Sequence, residues 1–230
     1  MITAIIPARG GSKRIKNKNI IPIGGHPLIA WTIQTALASN MFDKVIVSTD
    51  CPDIAEVAKR AHAHVPPLRP PNLSDDHTTL DVVMQHVIET HEIASEWVCL
   101  LYATACLLEP QTLSDAAALA LSADPQTDFV MGVVPYPHPI QRAFTLAQSK
   151  VCLVQSAHAK TRTQDLEEHY HDAGQFVFGR RAAWQNGQSV WDSQTLGTPV
   201  ARHAAVDIDT PDDLVLVEAL MRSRSDVLHA

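Results

Sequence analysis

Apolar residues along this chain fall into short continuous runs separated by longer stretches of mixed polarity. Ala4–Ile6, Val45–Ser48, Val98–Leu101 and Phe129–Val134 read as buried strands. Pro27–Ser39, Pro52–Ala61, Leu80–Glu92 and Gln111–Leu121 lie between them and carry helical patterns. Strands alternating with helices imply parallel β-α-β units with helices on both faces of one sheet. Ligands in such sheets sit beyond the carboxyl ends of the strands, where the loops diverge. The alternation breaks from Pro135 to Tyr170, where Pro135, Pro137 and Pro139 follow in quick succession and a Val151–Val154 strand pattern sits inside a long excursion. Val65–Pro71 reads as a stiff, extended connector, and no internal repeat or low-complexity segment is visible.

The first strand runs directly into the loop 7–19, which holds Gly10, Gly11 and Ser12 together with Arg9, Lys13, Arg14, Lys16 and Lys18. Glycines free backbone N–H groups to turn toward an anion, a serine hydroxyl adds a donor, and the cations supply charge, so the loop reads as a phosphate cradle. The plainer reading is a solvated basic turn after an edge strand. The loop matches neither G-x-x-x-x-G-K-[ST] nor G-x-G-x-x-G.

The segments Pro7–Lys13 with Lys18-Asn19, Val47–Asp50, Leu68–Pro70 with Leu73–Thr78, Pro139–Ala143, His171–Phe176 and Asp207–Pro211 carry a resemblance over nearly the whole chain. It is to the cytidylyltransferases that activate nonulosonic (sialic-acid-like) sugars as CMP conjugates, and the Pro139–Ala143 and His171–Phe176 blocks resemble the pseudaminic acid branch. The resemblance implies a three-layer, Rossmann-like nucleotidyltransferase fold of the α/β class with a mostly parallel sheet. It also implies one domain spanning 1–230, with 135–170 as a dimerisation extension, and a homodimer as the working unit. Its substrates would be CTP and a nonulosonic acid. Tyr102–Cys106 and Val177-Phe178 depart from the family pattern near the expected sugar pocket.

Composition narrows the picture further. A content of 46% hydrophobic but only 5% aromatic residues in 230 fits a core of Ala, Val, Ile and Leu. A formal charge of −7 argues against a general nucleic-acid surface, which needs a broad basic face. No apolar run approaches the roughly 20 residues of a membrane span, and the start of the chain lacks a signal-peptide pattern, so a cytoplasmic protein is expected. Cys51, Cys99, Cys106 and Cys152 are scattered without C-x-x-C spacing and read as reduced thiols. The 12 histidines show no H-E-x-x-H pair, and no G-x-S-x-G elbow is present.

Asp207 and Asp209, near the end of an expected strand Ala205–Asp209, would share one face with Ile208 turned the other way. Two hard oxygen ligands suit Mg²⁺, which takes one or two carboxylates and fills its shell with water and substrate phosphates. A helix start at Thr210-Pro211-Asp212-Asp213 explains the later residues but not Asp207. The resemblance places metal ligands at Asp207 and Asp209. It also puts Ala8, Arg9, Gly10, Gly11, Ser12, Lys18 and Asn19 around the nucleotide and gives Asn19 and Arg69 to cytosine. Arg9 and Lys13 would stabilise departing pyrophosphate, with Asp209 the third catalytic residue. Asp76 and Thr78 are nucleotide-side candidates that equally read as turn and cap residues. For the acceptor sugar, Tyr102, Arg142, Gln175 and Phe176 are the candidates, Arg142 because its planar fork matches a carboxylate bidentately. The reading is CMP transfer from CTP to the anomeric hydroxyl of pseudaminic acid with release of pyrophosphate. Its nearest rival is the same transfer to a legionaminic, neuraminic or eight-carbon ulosonic acid, and the further rivals are a metal-dependent glycosyltransferase using Asp-x-Asp and a nucleotide-binding regulator without turnover.

Overall fold

The computed structural model describes residues 1–228, with side chains described through residue 223. The elements run β1 (Ile2–Pro7), β2 (Pro22–Ile23), β3 (His26–Pro27), α1 (Leu28–Ala38), β4 (Lys44–Ser48), α2 (Pro52–Arg60), α3 (Leu80–Thr90), β5 (Trp97–Leu101) and α4 (Pro110–Ser122). They continue with β6 (Phe129–Pro135), β7 (Phe144–Ala147), β8 (Lys150–Leu153), β9 (Tyr170–Arg180), α5 (Arg181–Gln185), β10 (Thr195–Pro199) and α6 (Pro211–Leu228). Every strand and helix expected between residues 4 and 134 is present. β9 and β10 are additional strands of the main sheet, and within that sheet β9 runs against the others.

The main sheet has six strands in the order β10-β6-β9-β5-β1-β4. β1 pairs in parallel with both β4 and β5, whereas β9 pairs antiparallel with β5 and β6. Continuous apolar runs are needed because both faces are covered. On one face Ala4, Ile6, Cys99, Leu101, Phe176 and Phe178 pack with residues of α1, α2 and α4. On the other, Ile5, Val98, Leu100 and Val177 pack with α3 and α5. A smaller cluster at the carboxyl end joins Ile15, Ile23, Leu28, Ile208 and Val217, so the loop 7–19 and α6 share one apolar anchor. Among the described residues no helix is long and apolar enough to cross a membrane.

The excursion 136–169 leaves at the end of β6 and returns at the start of β9, whose terminal residues Pro135 and Tyr170 are paired. Its β7–β8 hairpin matches the expected Val151–Val154 strand within one residue and touches the sheet little: every hairpin residue is exposed.

Ala205–Asp209 departs from expectation, since it forms no strand. The segment crosses the carboxyl end of the sheet instead of lying along an edge, with Ile208 buried in the small cluster. Its carbonyl at Ile208 accepts from Lys18 Nζ (2.6 Å) in place of a ladder donor. The helix start beyond it is as read: Asp213, three residues after Thr210, accepts the Asp209 and Thr210 N–H groups, half of a capping box.

Gly179 on β9 marks the tightest point of the sheet. A Cβ there would lie 2.4 Å from Trp184 Nε1 and 2.6 Å from Phe129 Cε1. The indole cannot simply swing away, because it donates to the Val98 carbonyl at 3.0 Å. Gly179→Ala should therefore cost about 3 kcal/mol by overpacking, visible as a lower urea midpoint at unchanged slope. An unchanged midpoint would mean that the Trp184 contact yields freely.

Candidate active site

The seam between β1 and β4 does not stop where the strands end. Ala8 N–H donates to the Ser48 carbonyl (2.9 Å), and Gly10 N–H donates to Asp50 Oδ1 (2.9 Å). This revises the expected role of Gly10. Its amide is engaged by Asp50, and its missing side chain makes room for Cys51, whose Cβ would lie 2.9 Å from an added Cβ. Gly11 faces open space, and Ser12 N–H turns back to the Gly10 carbonyl (3.0 Å). With the Gly10 and Ser12 amides engaged inside the protein, the loop presents side-chain cations more than backbone donors.

Beyond this seam lies a cavity of about 290 Å³ whose lining includes Arg9, Lys18, Asn19, Arg69, Asp76, Thr78 and Tyr102. Seven of the residues singled out from sequence therefore line one cavity, although they come from three separate connections. Asn19 is buried and donates from Nδ2 to the Arg9 carbonyl (3.0 Å), which fixes the backbone beside the guanidinium. Arg69 is only 6% exposed. Its Nε donates to Ser74 Oγ (3.1 Å) and its Nη1 to the Ser48 carbonyl (3.2 Å), so Nη2 is left with no hydrogen-bond partner among the described residues. Burial lowers its pKa, against the opposing pull of Asp50.

The loop 74–79 is organised by Asp75, which the sequence reading did not single out. Its Oδ1 accepts from His77 N–H (2.9 Å), Thr78 N–H (2.7 Å) and Thr78 Oγ1 (2.8 Å). Those bonds hold its carboxyl below the usual range, the Thr78 hydroxyl contributing most. Thr78 is thereby part of the turn, and Thr79, the residue before α3, makes no side-chain cap. Asp76 points the other way, pairing with Arg9 Nη1 at 2.8 Å and with Lys13.

Asp207 and Asp209 stand on either side of buried Ile208. Partial burial, and next the charge of Asp209, raises the Asp207 pKa. Asp209 pairs with Arg14 Nη1 (2.9 Å) and Lys18 Nζ (3.5 Å), and through Lys18 it joins the cavity wall. Sequence alone places Arg14 only among the cations of the basic loop.

The acceptor-side candidates are dispersed. Tyr102 lines the cavity, with Gln175 behind it: Tyr102 N–H donates to the Gln175 carbonyl (3.0 Å). Gln175 is 1% exposed, donating from Nε2 to the Ala173 carbonyl (3.1 Å), with Oε1 unpaired. Phe176 belongs to the core on the opposite face of β9 and forms no pocket wall, because period-2 alternation turns it toward Phe178 and Gly132. Arg142 lies exposed in the excursion, donating to the Thr161 carbonyl, and does not line the cavity.

The cavity is electrically polarised. Arg9 and Arg69 occupy the β1–β4 end, where Asp76 answers Arg9, while the charges of Asp172, Asp81 and Asp207 reach Tyr102 at the other and Lys18 lies beside Asp209. Burial raises the Asp81 pKa as well.

Strand ends converging on a cation-lined cavity are the architecture of nucleotide-handling α/β enzymes, and over residues 3–188 the chain matches the cytidylyltransferase family, to which it belongs. Along 95% of its length it is 40% identical to pseudaminic acid cytidylyltransferase of Campylobacter jejuni subsp. jejuni serotype O:2, covering 95% of that protein. N-acylneuraminate cytidylyltransferase of Streptococcus agalactiae serotype III is 31% identical over 93% of this chain and 51% of the relative. The solved structure of CMP:2-keto-3-deoxy-manno-octonic acid synthetase complexed with CTP gives a TM-score of 0.71 at 18% identity, covering 97% of this chain and 99% of that one. The expected Rossmann-like nucleotidyltransferase fold is therefore the one observed.

Tyr102 supplies a direct check on the polarisation. Burial, followed by Asp172, Asp81 and Asp207, pushes its hydroxyl pKa from 10.0 to about 12. The folded state keeps a proton that the unfolded tyrosine releases, so this contribution is complete below pH 10 and is lost as pH rises toward about 12. Tyr102→Phe should remove an alkaline stability decline of about 2–3 kcal/mol, measured by urea melts on either side of that window. An undiminished decline in the variant would assign it to another group.

Proposed function

We propose that the protein transfers CMP from CTP to the anomeric 2-hydroxyl of pseudaminic acid, releasing pyrophosphate, with Mg²⁺ as cofactor and a homodimer as the working unit. The observation that carries the sugar assignment is 40% identity to pseudaminic acid cytidylyltransferase along 95% of both chains. The cation-lined cavity supports the nucleotide half.

In this reading the acceptor oxygen attacks the α-phosphorus in line. The bond from that phosphorus to the bridging oxygen of the β-phosphate breaks, and the hydroxyl proton passes to water. Such chemistry needs little beyond positioning and charge stabilisation. Arg9 and Lys13 offset the charge developing on pyrophosphate. Asn19 holds the Arg9 backbone, and the spare Nη2 of Arg69 is a donor suited to the acceptor atoms of a cytosine edge.

Mg²⁺ would be held by Asp207 and Asp209. Among the described residues no group of three or more His, Cys, Asp or Glu converges on one point, so a protein-caged metal does not fit, whereas a two-carboxylate Mg²⁺ site does. Partial burial, and next the charge of Asp209, raises the proton affinity of Asp207, and a bound cation would favour its ionised form. A bound Mg²⁺ would supply Lewis-acid stabilisation of phosphate charge. Arg14 and Lys18 neutralise Asp209 meanwhile.

The homodimer reading is supported by the excursion, whose hairpin puts Phe144, Leu146, Val151 and Leu153 on one face, 57%, 69%, 59% and 42% exposed, an apolar patch of the kind that partners cover. Across such a boundary Arg142 would approach the acceptor carboxylate of a neighbouring site. We assign the enzyme to the cytoplasm, the compartment of its CTP.

Pyrophosphate release should be fastest with CTP and pseudaminic acid in a panel containing UTP and legionaminic, N-acetylneuraminic and eight-carbon ulosonic acids. Equal kcat/KM for CTP and UTP would remove Asn19 and Arg69 from base reading. A preference for another sugar acid would retain the reaction and replace the acceptor.

Asp209→Asn exchanges an anionic oxygen ligand for a neutral one at similar volume. It should abolish Mg²⁺-dependent turnover while stability stays within about 1 kcal/mol of the parent. A Mg²⁺ titration with near-normal kcat would overturn the metal assignment.

A further inference from the structure

The two cations assigned to pyrophosphate already hold an anion of the protein's own. Asp76 Oδ1 accepts from Arg9 Nη1 at 2.8 Å, and its other oxygen pairs with Lys13. Both bonds bring that carboxyl below its usual pKa range, the Lys13 bond more than the Arg9 bond. The same Arg9 Nη1 also donates to the Asp75 carbonyl at 2.8 Å, so two neighbouring residues of one loop are fastened to the phosphate loop. Asp76 lines the cavity and is not needed for the shape of its own turn, which Asp75 and Thr78 already close.

We infer that Asp76 is a specificity-determining latch, an internal competitor that occupies Arg9 and Lys13 until a polyphosphate replaces both of its bonds at once. The inference rests on the proposed reading of those two cations as the pyrophosphate site. A carboxylate spanning two cations presents two oxygens to two donors, as a pair of linked phosphates does, whereas a single weakly held anion satisfies only one donor and leaves the other paired with Asp76. The latch screens the site from isolated phosphate while it is empty. After transfer, Asp76 is the group that reclaims Arg9 and Lys13 as pyrophosphate departs. Both pairs are substantially exposed to solvent, so the competition is modest and reversible.

A competitor displaced by every polyphosphate ligand must weaken all of them by one common factor, which a contact made to the nucleotide itself would not do. Calorimetry with inorganic pyrophosphate, CTP and CMP separates the two cases. Asp76→Asn should tighten pyrophosphate and CTP by a similar, roughly three- to tenfold factor, leave CMP unchanged, and lower the inhibition constant of pyrophosphate in turnover. Asp76→Glu, which restores the charge, should return affinities toward the parent values. Asp76→Ser is the second neutral variant and should tighten binding likewise if the asparagine fails to fold. Weaker or unchanged pyrophosphate and CTP binding in the neutral variants, with binding still lost in Arg9→Ala, would overturn the latch alone. Pyrophosphate and CTP binding that is indifferent to Arg9→Ala would overturn the phosphate site and the latch with it.

Discussion

The site depends on one seam, the parallel pairing of β1 with β4 carried past the ends of both strands. Ala8 is held to Ser48 and Gly10 to Asp50, so the cationic loop leaves the sheet in a direction set by backbone hydrogen bonds before any of its charges matters. The same strand end receives the Arg69 guanidinium on the Ser48 carbonyl, and Arg69 N–H donates to the Thr49 carbonyl at 2.8 Å. Loops 7–19 and 65–79 are in this way referred to a single edge of the core. A buried arginine is costly to desolvate, and it is tolerable here because three acceptors and the nearby Asp50 share it.

From that seam the charges are arranged in opposition. Cations gather where β1 and β4 end, and carboxylates gather around Tyr102 where β5 and β9 meet. Neither end stands bare: Asp76 answers Arg9 and Lys13, while Arg14 and Lys18 answer Asp209. Pairing of this kind limits the repulsion that unscreened like charges would impose on these loops.

How far the sequence could be read depended on the range of the interactions involved. β1, β4, β5 and β6 were legible because burial on both faces demands unbroken apolar runs, and α1 to α4 because helical spacing is local. β9 was obscured by Gly174 and Gln175 within it, and by a direction that only pairing with β5 and β6 reveals. Ala205–Asp209 has the alternation of a strand without a neighbour to pair with, and a pattern cannot display a missing partner. Around the site, residue types point to Arg9 and Lys18 and the family resemblance to Asn19 and Arg69, all four of which line the cavity, whereas the roles of Asp50 and Asp75 are hidden because each acts on backbone amides. Phe176 was misjudged for a related reason: adjacent residues of a strand face opposite ways, so the neighbour of Gln175 belongs to the other side of the sheet.

Where the excursion is inserted has its own consequence. Pro135 and Tyr170 are paired neighbours, and Tyr136 N–H extends the ladder to the His169 carbonyl at 2.9 Å, so the segment departs and returns through adjacent positions of one antiparallel pair. The closure cost of such a loop grows only with the logarithm of its length. Its roots lie away from the β1–β4 seam. A change in the length of that arm leaves the register of β1, β4 and β5 as it is: the fold separates a part whose length is set by what it touches from a part whose length is set by its own pairing.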